Sequence, residues 1–221
     1  MDYFFIYSAG GGGGEWNGLK RVWKEKMPET LKSNILLKFG DVFFNHASLT
    51  KLIKPQLWND VHDLRKWLFD AVQDEFVNEK TVLLLDSGTA KVVNQIKTNQ
   101  PDISPHELAE TFQHLFAENH VLDKYVEIIQ NSKINYAVTF DIPNPFKIRT
   151  QSTDTRTNVF DATHSSLMIE ISADYANDLY KKLGKNQKQI LTIINGLWSR
   201  EEIKLFLKKL KYKPNKLAIG G

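Results

Sequence analysis

The chain has 221 residues, of which 42% are hydrophobic and 25% are charged, and these fractions exclude disordered and collagen-like classes. Its formal net charge of +3 is too small an excess to indicate a nucleic-acid ligand by itself. The absence of cysteine excludes disulfides and any metal site with cysteine ligands.

Short apolar segments alternate along the sequence with longer segments whose apolar residues recur at helical spacing. In chain order the prediction is a strand at 3–7, a glycine loop at 10–14, a helix at 19–27, a strand at 34–39, a helix at 57–77, a strand at 81–85, helices at 104–116 and 121–130, a strand at 135–140, a helix at 165–183, a strand at 189–194, a helix at 199–210 and a strand at 216–219. The helix at 104–116 opens with Ser104, Pro105 and Glu107, which is typical of an N-terminal cap.

Strands that alternate with such helices predict βαβ units and a parallel α/β sheet covered on both faces. This order fits either a doubly wound sheet or an incomplete (β/α)8 barrel of about six strands. No linker or shift in composition divides the sequence, so residues 1–221 are predicted to form one domain. No helix is predicted after the last strand, so we expect that the chain is a fragment or that another element covers this strand.

The sequence also indicates the cellular compartment of the protein. No apolar run approaches the roughly 20 residues that a membrane-spanning helix needs. The first residues, M-D-Y-F-F-I, lack the basic start of a secretory signal. We therefore expect a cytoplasmic protein without a membrane partner.

Four predicted strands end in polar or glycine residues, at the edge where parallel α/β folds bind their ligands. These ends are Asp86-Ser87-Gly88, Asp141-Ile142-Pro143, Asn195-Gly196 and Gly220-Gly221. A single aspartate at such a place is more often a turn former or a helix cap. Two of them, with the asparagine and the glycines, favour a site for acid/base chemistry or for binding the N–H-rich edge of a guanine.

These strand ends resemble, in order, four motifs of the tRNA-guanine transglycosylases. Residues 84–93 (L-L-D-S-G-T-A-K-V-V) are similar to the family's D-S-G-G-[FY]-Q-V, and residues 138–146 (V-T-F-D-I-P-N-P-F) are similar to its F-D-x-x-x-P-x. Residues 193–196 (I-I-N-G) resemble its I-V-Q-G, and residues 217–221 (L-A-I-G-G) resemble its Y-A-I-G-G. The resemblance covers residues 81–221, and its poor match over residues 1–80 indicates an outlying branch, such as the relatives that modify DNA.

The resemblance implies a (β/α)8 barrel that exchanges guanine in tRNA or DNA for a 7-deazaguanine base. In this family an aspartate late in the barrel attacks the ribose C1′, and the incoming base displaces that covalent intermediate. Asp86 would then be the general acid/base, and Asp141 would bind the N1 and 2-amino edge of the base. The other substrate-binding residues that the resemblance implies are Ser87, Gly88, Asn195, Gly196, Gly220 and Gly221, with Asn195 at the 6-oxo side and Gly221 donating its backbone N–H to O6.

The chain departs from the family pattern in its base pocket. Thr89 replaces the second glycine, Ala90 replaces the aromatic residue that stacks on the base, and Lys91 replaces the following glutamine. Asn195 is one methylene shorter than the family's glutamine. Neither the nucleophilic aspartate nor the family's C-terminal zinc site has a counterpart in the sequence. We therefore expect a completing or homologous partner chain to supply the nucleophile, and no metal or cofactor in this chain.

Two other functions stay open. The chain could be a non-catalytic base-binding or partner subunit of such an enzyme, or an unrelated α/β enzyme. Three lysines near the end, Lys204, Lys208 and Lys211, predict contacts with a phosphate backbone, although a solvated helix face is the simpler interpretation. The six histidines show no metal-binding spacing.

Overall fold

The computed structural model of the chain describes residues 5–7, 34–38, 82–131, 134–143, 162–195 and 198–220. The described strands are β1 (Phe5–Tyr7), β2 (Asn34–Lys38), β3 (Val82–Asp86), β4 (Tyr136–Val138), β5 (Ile190–Asn195) and β6 (Leu217–Gly220). The described α-helices are α1 (Thr89–Asn99), α2 (Pro105–Glu118), α3 (Val121–Asn131), α4 (Ala162–Leu183) and α5 (Arg200–Lys209), and a 3-10 helix spans Gly184–Gln189. The predicted glycine loop at 10–14 and the helices at 19–27 and 57–77 lie outside the described residues.

The fold is α/β, as predicted, and it divides into two compact units. The first unit contains residues 1–88 and 123–138, and the second contains residues 89–122 and 139–221. A closed (β/α)8 barrel is not shown by the described strands, and the single domain stays a prediction. None of the helices in the described part of the chain combines the length and the apolarity needed to cross a membrane.

The first unit is built on a four-stranded parallel sheet. Each of β1, β2 and β3 pairs in parallel with the next strand along the chain. The apolar run Leu83–Leu85 in the centre of β3 is buried, as is typical of parallel strands covered on both faces. The buried Tyr125 hydroxyl lies 3.1 Å from the Leu85 carbonyl oxygen and 2.8 Å from that of Val138, so its single proton serves two neighbouring strands.

The predicted strand at 135–140 is shorter than expected. Asn135 bonds to β3 from outside the strand: its side-chain oxygen accepts from the Leu83 N–H at 2.9 Å, and its own N–H donates to the Leu83 carbonyl at 3.0 Å. After Val138 the chain passes into the second unit. There the Thr139 N–H donates to the Leu191 carbonyl at 3.1 Å, and the Thr139 hydroxyl oxygen accepts from the Ile193 N–H at 3.1 Å.

The second unit carries a parallel pair of strands, β5 and β6, with α4 and α5 packed on one face. Ile194 of β5 packs there against a buried apolar cluster. The cluster consists of Ile169, Ala173 and Ala176 of α4 with Trp198 and Phe206. A capping box starts α5, because the Ser199 hydroxyl accepts from the Glu202 N–H and the Glu202 carboxylate accepts from the Ser199 N–H.

A capping box also starts α2, where the sequence predicted an N-terminal cap. Ser104 and Glu107 form the capping box, with Pro105 at the first helical position. Hydrogen bonds from the side chain and backbone of Ser104 hold the pKa of the Glu107 carboxyl below its usual value. These hydrogen bonds favour the ionised form of Glu107, and the cap lies where the sequence predicted it.

Four aromatic rings form the core between α2, α4 and the segment after β4. Phe116 stacks on Phe112 at a centroid distance of 4.1 Å, and it meets Phe140 edge-on at 5.4 Å. The fourth ring is Tyr175 of α4, whose centroid lies 5.8 Å from that of Phe140. Burial raises the pKa of Tyr175 to about 12, so the hydroxyl stays protonated at physiological pH. This packing fixes the residue that directly precedes Asp141.

Candidate functional site

Three of the predicted binding residues come together in the second unit. Asp141 follows the buried Phe140, Asn195 ends β5, and Gly220 is aligned with Asn195 in the parallel pairing of β5 with β6. The Asn195 Nδ2 donates to the Asp141 Oδ2 at 3.1 Å. Only the nitrogen end of an amide can donate to a carboxylate, so this bond also fixes the orientation of the Asn195 side chain.

Gly220 allows β6 to run close to this pair. A Cβ atom at Gly220 would lie 2.7 Å from the Ile193 Cδ1 and 3.6 Å from the Asp141 Oδ2. The first distance is too short for any real contact, so Ile193 would have to shift. The second places any side chain directly against the carboxylate. Glycine at this position therefore keeps the neighbourhood of the Asp141 carboxylate clear of a side chain from β6.

Thr89, which the sequence marked only as a departure from the family pattern, is a direct contact of Asp141. Its hydroxyl donates to the Asp141 carbonyl oxygen at 2.7 Å and lies 3.5 Å from the Asp141 Oδ1. The Thr89 side chain is 1% exposed. The glycine that the family has at this position could make neither contact. The replacement thus adds a hydrogen bond that holds Asp141 from the start of α1.

A second helix holds the backbone on the other side of Asp141. The Ser172 hydroxyl accepts from the Ile142 N–H at 2.9 Å and donates to the Met168 carbonyl at 2.8 Å. Ser172 is fully buried in α4. The carbonyl of Asp141 and the N–H of the next residue are therefore both bonded to buried hydroxyls. Such support from two helices keeps a functional side chain in one place.

Replacing Thr89 with valine is expected to destabilise the protein by about 0.5 to 1.5 kcal/mol, because the partly buried Asp141 carbonyl oxygen loses a hydrogen-bond donor while the shape is kept. Chemical denaturation followed by circular dichroism measures this loss. Thr89→Ser is the matched control, since it keeps the hydroxyl and removes only a methyl group. Equal unfolding midpoints for Thr89→Val and the wild type would contradict a role for the hydroxyl.

The predicted turn at 86–88 belongs to the first unit. Asp86 is the last residue of β3 and is half-buried, and Ser87 is 3% exposed. Gly88 has a φ of +67°, a left-handed backbone conformation in which glycine is favoured because a Cβ would be strained. The turn therefore needs glycine at this position for conformational reasons. Gly196 and Gly221 lie outside the described residues.

The three lysines predicted to contact nucleic acid lie on α5 and directly after it. Lys204, Lys208 and Lys211 are all exposed, and their contact with phosphates stays a prediction. Where the structure is described, histidine, aspartate and glutamate side chains form no group that could hold a metal ion.

The second-unit site offers the chemistry of base recognition. A carboxylate accepts two neighbouring N–H donors, and an amide beside it supplies a donor and an acceptor. Residues of two helices hold Asp141 and the N–H that follows it, and Gly220 adjoins the carboxylate. Neither a protein-family model, nor a curated protein, nor a solved structure matches the chain.

Proposed function

We propose that the chain is a transglycosylase-like protein of the cytoplasm that binds guanine or a 7-deazaguanine base through Asp141. The observation that carries the proposal is the bond from the Asn195 amide to the Asp141 carboxylate, beside Gly220 and at the ends of β5 and β6. Asp141, Asn195 and Gly220 each belong to one of the four sequence motifs that resemble the family, so three of those motifs contribute to this arrangement. The proposed fold is a (β/α)8 barrel of which this chain holds about six strands.

The chemistry of the base fits these groups. The Watson–Crick edge of guanine presents the N1–H and the 2-amino group as adjacent donors, with O6 as an acceptor beside them. The Asp141 carboxylate would accept from both donors, and Asn195 would hold the 6-oxo side. A bidentate pair of this kind gives about 1 to 3 kcal/mol of discrimination against a wrong base. A base within tRNA or DNA would have to leave its stack to reach the carboxylate.

The proposed reaction is base exchange through a covalent intermediate. An aspartate supplied by a completing or partner chain would attack the ribose C1′ while the bond from C1′ to N9 of guanine breaks. Asp86 would give a proton to the leaving guanine. It would then take the N9 proton of the incoming 7-deazaguanine, which displaces the aspartate and restores the glycosidic bond. In this scheme Asp141 binds both the leaving and the incoming base.

A pair of matched ligands tests the base recognition. In calorimetric titrations, 7-deazaguanine is expected to bind about 5- to 150-fold more tightly than 7-deazahypoxanthine, which lacks the 2-amino donor. Equal affinities for the two bases would overturn the proposed role of Asp141. Incorporation of radiolabelled guanine into tRNA and into duplex DNA tests the exchange. The 221 residues alone are expected to bind the base without exchanging it, and rapid exchange would mean that the nucleophile lies among them.

A further inference from the structure

Positive charge is distributed unevenly along the chain. Residues 179–221 contain eleven of the 29 lysines and arginines and two of the 26 aspartates and glutamates, so their net charge is +9. The other 178 residues contain 18 of the former and 24 of the latter, a net charge of −6. The two carboxylates, Glu201 and Glu202, divide the basic region into two segments without any acidic residue, at 179–200 and at 203–221. An asymmetry of this size indicates a polyanionic partner.

Contacts between α4 and the residues after α5 bring these two basic segments together. The Asn177 side chain donates from Nδ2 to the Lys209 carbonyl at 3.1 Å and accepts from the Lys211 N–H at 2.7 Å. One turn further along α4, the Tyr180 ring stacks on the Tyr212 ring, with the ring planes 4° apart and the centroids 3.9 Å apart. The end of α5 and the residues after it are thus fixed against the last two turns of α4.

The 3-10 helix that follows α4 lies beside the same tyrosine pair. The Gln187 Nε2 donates to the Tyr180 carbonyl at 3.1 Å. Side chains three residues apart eclipse each other on a 3-10 helix, so Lys185 and Lys188 share one face of it. The two lysines therefore belong to the same neighbourhood as the residues after α5.

Five exposed lysines come from these three adjoining elements. Lys181 follows Asn177 by four residues, so it lies on the side of α4 that holds the residues after α5. We call Lys181, Lys185, Lys188, Lys211 and Lys213 the lysine surface. None of the five forms an ion pair with another residue that the structure describes, in contrast to Lys209, which pairs with Glu170 at 2.8 Å.

The lysine surface lies at the start of β5, away from the candidate site at its end. The 3-10 helix runs directly into β5 at Ile190, and the Tyr212 hydroxyl lies 2.9 Å from the Thr192 hydroxyl near that start. Asn195 ends the strand five residues after Ile190, which is about 17 Å along an extended chain. The lysine surface is therefore separate from the groups that surround Asp141.

Helix stability accounts for only some of these lysines. Cations in the last turn of a helix interact favourably with its dipole. The lysines in the last turns of α4 and α5 are Lys181, Lys182, Lys208 and Lys209. Lys185, Lys211 and Lys213 lie outside the last turn of every helix that the structure describes. Holding these like charges close together is unfavourable in the free protein, and a bound polyanion would relieve the repulsion.

We propose that the lysine surface binds the phosphate backbone of a double-helical nucleic acid. Each ammonium group would contact one phosphate, and such contacts provide affinity without reading the base sequence. The stacked tyrosines and the Asn177 bonds hold the lysine-bearing segments in place. Such a preorganised array suits a ligand whose charges are also fixed in space, as they are in a duplex. The proposal does not depend on base binding at Asp141.

The side chains among the lysines argue against a membrane or a protein as the partner. The aliphatic residues of 179–190 are Leu179, Leu183 and Ile190, and all three are buried. Basic surfaces that bind membranes ordinarily insert apolar side chains as well, and such side chains also form the core of a protein interface. Residues 179–190 present their lysines without an exposed aliphatic group, which is the combination that a phosphate backbone requires.

Fluorescence anisotropy with the 221-residue chain and labelled duplexes tests the proposal. The probes are an RNA duplex and a DNA duplex of about 20 base pairs, about 68 Å long, in an unrelated sequence. Both are expected to bind, and a preference for one of them identifies the source of the phosphates. Five phosphate contacts predict that the logarithm of the DNA binding constant falls with the logarithm of the salt concentration with a slope of about −4.5.

Variants of the chain locate the contact. Lys181→Gln with Lys213→Gln is expected to weaken duplex binding about tenfold or more and to reduce the salt slope by about two. Lys181→Arg with Lys213→Arg keeps the charges and is expected to bind like the wild type. Lys97→Gln with Lys124→Gln is the matched control, because it removes two charges from α1 and α3, and it is expected to change neither quantity.

Three results would contradict the proposal. One is an equal loss of duplex binding in the two glutamine pairs, because the charge would then act without a defined surface. Another is the absence of duplex binding even at low salt. The third is binding to phosphatidylserine vesicles that needs Lys181 and Lys213, without duplex binding, which would make the surface a membrane contact. The affinity of the Lys181→Gln and Lys213→Gln variant for 7-deazaguanine should be unchanged, so this proposal and the proposed base recognition can fail separately.

Discussion

Asp141→Ala is expected to lower the affinity for 7-deazaguanine by about a hundredfold or more, because the base loses two hydrogen bonds to a charged acceptor, each contributing about 1.5 to 3 kcal/mol. Asp141→Asn is expected to lower the affinity for 7-deazaguanine by a similar factor. Its amide group would turn a donor towards the donors of the base, and one of the two acceptors would be gone. Calorimetric titration of each variant with 7-deazaguanine measures the loss.

Two controls separate recognition from damage to the site. Asp141→Ala also removes the acceptor of the Asn195 amide, so the unfolding midpoint of each variant has to be measured beside its affinity. Asp174→Asn changes an exposed carboxylate on α4 and is expected to leave the affinity unchanged. If base binding survives Asp141→Ala in a folded protein, the base does not contact this carboxylate.

Phe140→Ala is expected to produce the largest loss of stability, about 3 to 5 kcal/mol. Phe140 is fully buried and contacts the rings of Phe116 and Tyr175 edge-on, so truncation leaves a cavity between α2 and α4. Since domains are stable by only about 5 to 15 kcal/mol, such a loss would populate the unfolded state at moderate temperature. Urea denaturation measures it.

The matched variant is Phe140→Leu, which keeps most of the apolar volume. Phe140→Leu should lower the free energy of unfolding by less than half as much as Phe140→Ala, because a leucine fills part of the cavity. Base affinity at low temperature should also fall in Phe140→Ala, since Asp141 follows the truncated residue directly. Equal midpoints for the two variants would show that the aromatic core does not depend on this ring.

All six described strands were predicted, and among the described α-helices α1 is the one that was not. β3, β5 and β6 lie within about one residue of the predicted bounds, because each is a short apolar run that ends in a polar or glycine residue. The helix α1 was not predicted. Valine, asparagine and threonine, which are weak helix formers, make up much of it. Its buried residues Val92, Val93 and Ile96 do recur at helical spacing, and this was the available signal.

The candidate site was predictable only where strands supply it. The rule that neighbouring parallel strands end at one edge leads to Asp141, Asn195 and Gly220, and these residues do meet. Thr89 and Ser172 come from helices far away in the sequence. Whether their hydroxyls reach Asp141 and Ile142 depends on how α1 and α4 pack, and spacing in a single sequence carries no information on that.

The two bonds from Thr139 to β5 have a consequence for how the site can evolve. Because strand residues alternate between faces, sliding β5 by one residue would turn Asn195 away from Asp141 and towards the helices. Thr139 blocks that slide, since its backbone N–H and its hydroxyl are each committed to a particular partner, Leu191 and Ile193. We therefore expect insertions and deletions in the loops on either side of β5 to leave the pairing with Thr139, and with it Asn195, in place. A lineage could vary those loops, and with them the ligand's surroundings, while the pair of Asp141 and Asn195 stays in place.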